Sequence, residues 1–412
     1  MTRRIVLVMF LMSGNLAVSG AEASWPHWRG PDRTGISKDT GLLKKWPEGG
    51  PKRVWLFQNA GMGYSGFSIV GDRLYTLGAR KDKEQLIALD ANVGKEVWAA
   101  DIGSVLSNNW GDGPRSTPTV DGDHVYALSG QGTLICVEAK DGKLAWKRSM
   151  ESLSGKVPDW GYTESVLVDG ERVVCTPGEK KGAMVALSKK TGDVLWQSKD
   201  FTDGAQYASI VPADFNGERQ YIQLTKKSIV GIAASDGRLL WRADWPGQTA
   251  VVPTPIFRDG LLYVTSGYGV GCKLLKLGEG HKVMEVYFNK EMKNHHGGVI
   301  LVGDHVYGYS DGPGWVCQEF STGKRIWAEK NLGKGAIGCA DGMLYLLSED
   351  GGTVVLIEAS PLGWKQHGGF KLDPQTKLRK PAGRIWTHPV ITGGRLFLRD
   401  QEILYCFDLK VS

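Results

Sequence analysis

One phrase recurs along nearly the whole chain: an apolar strand, a Gly turn, and a second strand that closes on Trp. It runs Ala88 to Trp98, returns from Cys136 to Trp146, and appears again at Ala186–Trp196, Gly231–Trp241 and Cys317–Trp327. Degenerate copies end at Tyr287 and Trp364. A spacing of roughly 40–50 residues is the range of propeller blades and solenoid coils, so 412 residues need not mean several unrelated domains. Each copy also has a front half in which an Asp-Gly or Gly-Asp turn precedes an aromatic, as in Asp121-Gly122-Asp123-His124-Val125-Tyr126 and Asp341-Gly342-Met343-Leu344-Tyr345. Front half and Trp phrase together make four antiparallel strands, A to D, which is one blade.

Eight front halves are legible, from Gly71–Tyr75 to Gly394–Phe397, and the chain ends settle how they close. The C-terminal run 404–409 is a third strand with no Trp-bearing fourth. Residues 53–57, carrying Trp55, are a fourth strand with no blade before them. Pairing the two completes an eighth blade and removes two exposed edges. The expectation is an all-β, eight-bladed propeller of four-stranded antiparallel blades over 51–412, with residues 24–50 as an N-terminal extension. Trp55, Trp98, Trp146, Trp196, Trp241 and Trp327 are read as wedges between neighbouring blades. The abundance of Gly, 56 residues, and the near absence of helix-period apolar stripes agree with many short strands and tight turns.

Arg3 and Arg4 followed by the apolar run Ile5–Val18 and the small residues of Ala21-Glu22-Ala23 read as a signal peptide, residues 1–23, cleaved after Ala23. The mature protein is expected in the periplasm or outside the cell, as a monomer with no membrane-spanning segment. Lys and Arg are scattered between turns, and the net charge is only +6, which excludes a nucleic-acid groove. Six cysteines in an exported chain invite disulfides. Yet Cys136, Cys317 and Cys406 occupy the same slot in three different blades, beyond bridging distance, and read as small buried hydrophobes.

Blade topology places the start of strand A, the B–C connection and the D–A connection at one mouth, and the short Asp-Gly and Thr-Gly turns at the other. Long D–A connections at 99–114, 147–161, 288–295 and 365–385 elaborate the first mouth, where a repetitive scaffold carries its function. Aligning the blades brings Tyr64, Arg115, Glu164, Ser209, Thr254, His296, Lys334 and Thr387-His388 to the channel entrance, with Trp386 beside them. The B–C connections add Tyr268, Asp311, Glu349 and Arg399 near the same rim. Of the neighbours His295 and His296, strand alternation turns one, His296, toward the channel, so the pair is a poor chelate and no metal site is expected. No GxSxG elbow marks a nucleophilic serine.

The Gly turn and recurrent Trp resemble the tryptophan-docking repeat of the pyrroloquinoline-quinone-like propellers. Four stretches, Trp25–Pro31, Trp110–Pro118, Asn294–Gly298 and Trp386–Val390, are similar to exported propellers widespread in planctomycete-type bacteria. Such proteins are compared with two relatives, the outer-membrane assembly lipoprotein that scaffolds barrel insertion and the quinoprotein alcohol dehydrogenase. The second resemblance implies a quinone over the channel on a tryptophan floor, covered by a ring of adjacent cysteines and activated by calcium on Glu, Asn and Asp. This chain has no adjacent cysteines, and the calcium trio finds no match, although Arg115 is placed to pair with a cofactor carboxylate. The leading expectation is therefore a non-catalytic propeller, without cofactor, that binds a peptide, an outer-membrane protein or a glycan at the mouth. A dehydrogenase using pyrroloquinoline quinone with calcium is the alternative.

Overall fold

A computed structural model describes residues 23–411; the signal-peptide reading, apart from Ala23, lies outside the described residues. The described residues are all-β, their helical content being two 3₁₀ turns at Glu151–Leu153 and Glu279–His281. Eight sheets follow one another, each with four antiparallel blade strands, and in the first seven the chain runs from inner strand A to outermost strand D. Blade 1 is built from Ser68–Val70, Arg73–Arg80, Lys83–Asp90 and Lys95–Ser104. Blade 7 is built from Gly335–Ala340, Met343–Ser348, Thr353–Glu358 and Gln366–Lys371. Blade 8 takes Val390–Thr392, Arg395–Asp400 and Ile403–Asp408 from the C-terminus and its fourth strand, Arg53–Phe57, from the N-terminus. Trp55 lies opposite Cys406 and Phe57 opposite Leu404, which is the ring closure read from the sequence.

The Trp phrase has a specific mechanical meaning. The indole N–H of Trp55, Trp98, Trp146, Trp196 and Trp327 donates to a carbonyl of the following blade, at 2.9–3.1 Å. Tyr287 donates its hydroxyl in the same way to Phe320. The Gly of the next blade's C–D turn lies flat against that ring. A Cβ on Gly94, Gly142, Gly192 or Gly237 would come within 2.4–2.7 Å of the preceding Trp. The same glycines hold φ between 68° and 77°, a left-handed turn that Gly adopts without strain. Gly turn and Trp therefore recur together because each is half of one interblade joint.

Two joints depart from this pattern. Trp241 turns into its own blade and donates to Gln220 Oε1, over Gly231, the one position in its slot without a side chain to obstruct it. In blade 7 the docking register falls on Gly368, opposite Leu356, rather than on Trp364. Trp46 fills the vacant place: its backbone N–H donates to the His367 carbonyl and its ring packs on Tyr345 and Phe370, with the indole N–H left unpartnered. Trp364 packs instead into the apolar cluster containing Trp327. All six cysteines are free and buried, and Cys136, Cys317 and Cys406 each face a docking Trp across the C–D ladder.

Residues 24–50, read from sequence as an extension, are woven through the ring. Ser24–Trp25 pairs antiparallel with Val70–Ile69 of blade 1, and Ile36–Ser37 runs parallel to Cys339–Ala340 of blade 7. Between them the segment touches every other blade. Pro26 accepts from Val120 N–H, and Trp28 Nε1 donates to Thr254 Oγ1 at 2.9 Å. Arg29 donates to the Val299 carbonyl, and Ser24 N–H to Thr392 Oγ1. Arg33 donates to the carbonyls of Ser165, Val166 and Ile210. Arg29 and Arg33 both hold left-handed backbone, φ 65° and 53°, a strained state for residues with a Cβ that the many bonds around them sustain. The central channel is thus filled from the short-turn side by the protein's own N-terminal segment.

Candidate functional site

With one end filled, the channel becomes a blind bowl of about 400 Å³ open at the face that carries the D–A connections. Trp28 and Arg29 form the floor, and the wall rises through residues from the starts of the A strands and the long loops. Tyr64, Arg115, Ser209, Thr254, His296, Lys334, Trp386 and His388 all line it. Glu164 does not. Its carboxylate is buried behind the wall, accepting from Thr176 N–H at 2.7 Å and from the Thr176 hydroxyl. Those bonds join the two connections that flank the strands Leu167–Asp169 and Arg172–Cys175, and Glu164 is absent from the bowl lining. Burial pushes its pKa up to about 8, against the opposing pull of the Thr176 bonds and Arg33.

His295 faces the bowl as well as His296. The alternation rule fails because both lie in the D–A connection ahead of Val299–Val302, outside any strand. Of the B–C residues, Tyr268 and Glu349 line the bowl, whereas Arg399 is fully buried among the carbonyls of Gly61, Ser65, Leu77 and Gln401. The loops begin later than the sequence suggests. Residues 99–104 extend the outer strand of blade 1 and 366–371 form that of blade 7, leaving 105–118 and 372–389 as the connections.

Aromatic rings dominate the wall. Trp386 stacks on His296 with centroids 4.7 Å apart and lies 5.0 Å from Tyr64. Its indole N–H donates to Glu349 Oε2 at 3.0 Å, and burial raises the pKa of that carboxyl. Trp160 meets Tyr207 edge-on, and Tyr268 meets His295 at 4.1 Å. The Arg115 guanidinium lies 4.9 Å over the Tyr64 ring, donates to the Gly111 carbonyl, and has no ion pair among the described residues.

The histidines are held neutral. Lys334 Nζ sits 2.7 Å from His295 Nδ1 and 2.9 Å from Asp311 Oδ1; an ammonium only donates, so Nδ1 accepts and Nε2 carries the proton. Burial, then the Lys334 charge, lowers His295 to about 4. His388 donates from Nε2 to the His296 carbonyl at 2.9 Å, and burial lowers it to about 4 as well. His296 is driven down by burial and by the charges of its neighbours, Lys334 and Arg115 among them. Among the described residues no group of three His, Cys, Asp or Glu side chains is placed to hold a metal.

These features define a class of protein: a tryptophan-docked, eight-bladed propeller with one channel end filled and one loop-rich mouth open. The family described as "Outer membrane protein assembly factor BamB" matches residues 82–329, more than half of the chain, and the chain belongs to it. The Yersinia pestis outer membrane protein assembly factor BamB is 22% identical over 309 residues, covering 66% of this chain and 72% of that relative. BamB from Moraxella catarrhalis superposes with TM-score 0.62 at 14% identity, over 87% of this chain and 98% of that one. Quinohemoprotein alcohol dehydrogenase from Comamonas testosteroni gives 0.61 at 11% identity, over 93% and 80%. At these identities the structural likenesses show the shared fold alone.

The quinone that the second likeness implies does not fit the residues present. Calcium takes six to eight oxygens, and Glu349 is the one carboxylate lining the bowl. The six cysteines are dispersed and buried, so none forms a ring over it. Trp28 does supply an indole floor, but from a segment inserted through the ring.

Proposed function

We propose that this chain is an exported, non-catalytic binding propeller that receives a protruding group of a larger ligand in the bowl. The observation that carries the reading is the filled channel end: a blind, aromatic-lined bowl admits and releases its ligand by one mouth. Family membership favours a polypeptide ligand, an outer-membrane protein or a peptide from one, and the stacked rings also suit a glycan. The bowl's donor set suits recognition, and among the described residues no serine or cysteine of the bowl is hydrogen-bonded to His295, His296 or His388 as an activated nucleophile would be. We place the mature protein, starting at Ser24, in the periplasm or outside the cell as a monomer, a reading supported by the targeting pattern ahead of Ser24. Among the described residues no helix is long and apolar enough to cross a membrane.

A photoreactive residue at the exposed rim position Trp110 tests this, with one on the outer strand at Val97 as control. Purified unfolded outer-membrane barrel protein should cross-link from 110 and not from 97. Cross-linking from 97 alone, or from neither, would contradict capture of a polypeptide at the mouth.

A further inference from the structure

The bowl is strongly biased in charge and in hydrogen-bonding capacity. Four cationic side chains line it, Arg29, Arg115, Lys334 and Arg384, against the single carboxylate of Glu349. Lys334 is neutralised by Asp311 and Arg384 by Asp350 at 2.6 Å. Arg29 and Arg115 meet carbonyls only: Arg29 those of Thr34 and Val299, Arg115 the single carbonyl of Gly111. The carboxylates nearest Arg115 are occupied, Asp112 by Lys380 and Glu84 by the N–H groups of Leu106 and Gly130. The Nε of Arg115 is buried and unpartnered, as is that of Arg29. So is Nε2 of His295, which the contact with Lys334 makes a donor. Buried donors without acceptors are costly, and a ligand acceptor relieves that cost.

Flat faces surround these donors. Trp28 closes the floor, and the Trp386–His296 stack forms one wall. Glu349, the one group that would repel an anion, is already bonded to Trp386 and lies on blade 7, three blades round the ring from Arg115.

We propose that the bowl binds a six-membered ring bearing a carboxylate, with Arg115 as the anion anchor, His295 as a second donor and the tryptophans as stacking faces. This rests on the reading of the bowl as a binding site and names the chemistry it selects. A guanidinium fork matches the planar carboxylate with two parallel N–H bonds. A positive, low-dielectric cleft concentrates such anions at its mouth. Two sources present this chemistry, a uronic acid residue at the end of a glycan and an aromatic acid.

Titration of mature protein, followed by tryptophan fluorescence and calorimetry, separates them: galacturonate against galactose, and benzoate against benzyl alcohol. At least one acid should bind tenfold or more tightly than its neutral counterpart, and the preferred pair identifies the source. Arg115→Ala should abolish that discrimination, and Arg115→Lys should restore part of it. Thermal melting of both variants separates lost recognition from lost folding. Equal binding of acid and neutral ligand, binding of neither acid, or discrimination that survives in Arg115→Ala overturns the proposal. If the acids fail while position 110 still cross-links the barrel protein, this inference falls and the binding function stands. If the acids bind and cross-linking fails, polypeptide capture is what falls.

Discussion

The indole of Trp28 meets the imidazole of His388 edge-on, with centroids 4.8 Å apart and planes inclined at 73°. In that contact the N-terminal segment, inserted from the short-turn side, touches the last blade of the ring. Trp28 also donates to Thr254 across the channel, so one side chain ties blade 5 to blade 8. Trp28→Ala should lower stability by about 2 kcal/mol. It should also deepen the bowl, seen as increased acrylamide quenching of the remaining bowl tryptophans. Unchanged quenching would show that Trp28 is not the floor.

Arg33 spans blades 3 and 4 through three carbonyls and has no carboxylate in hydrogen-bond contact. Arg33→Ala strands those acceptors and should cost about 3 kcal/mol in denaturant unfolding. A loss no larger than that of an exposed Arg, such as Arg238, would show that the inserted segment is ornamental to the ring.

The interblade joint makes a paired prediction. Gly142→Ala forces a Cβ to within 2.6 Å of the Trp98 ring on a backbone at φ 74°, and should cost roughly 2 kcal/mol or more. Gly122→Ala, at φ 54° with nothing within 4 Å, carries the backbone strain alone and should cost about 1 kcal/mol. Equal costs would remove the docking contact from the account.

That joint was legible in sequence because it is local and repeated: Trp55, Trp98, Trp146, Trp196 and Trp327 report the same contact, and Trp241 and Trp364 depart from it. Ring closure was legible for a related reason, since two unmatched half-blades can satisfy their edges only with each other. The inserted segment was not legible. Arg29 and Arg33 bind backbone carbonyls, which leave no residue-type signature on their partners, and Trp46 completes a joint whose own strand carries Gly368. Alignment of the blades placed the bowl residues well where strand geometry applies. It misplaced Glu164, whose carboxylate is held by Thr176, the residue just past the strand Arg172–Cys175. It also missed His295, which alternation cannot orient in a loop.

Glu164 should shape the pH profile of stability. Its folded-state pKa, about 8, lies above that of an ordinary carboxyl, so the folded chain keeps a proton that the unfolded chain releases. Stability from this group is full below the ordinary carboxylate range and declines as pH rises toward 8, by an amount on the order of a few kcal/mol. His295 and His388, held neutral down to about pH 4, act in the opposite sense and cost stability as pH falls below 6.5. Glu164→Gln should flatten the decline between pH 5 and 8 and leave the acid limb unchanged in urea titrations. An unaltered slope would mean that Glu164 is ionised in the fold.

Pyrroloquinoline quinone with calcium, added to mature protein, should give no dye-linked alcohol oxidation, because the bowl offers calcium one carboxylate. Calcium-dependent turnover that is lost in Arg115→Ala would make the chain an oxidoreductase.

Hydrogen–deuterium exchange with and without saturating ligand, either the barrel protein or the preferred acid, locates the binding face. Protection should appear in residues 105–118, 290–298 and 380–388 around the mouth, and the inserted segment 24–37 should be slow to exchange in both states. Protection confined to the outer strands, or ligand-induced exposure of 24–37, would contradict a blind bowl that binds through one face.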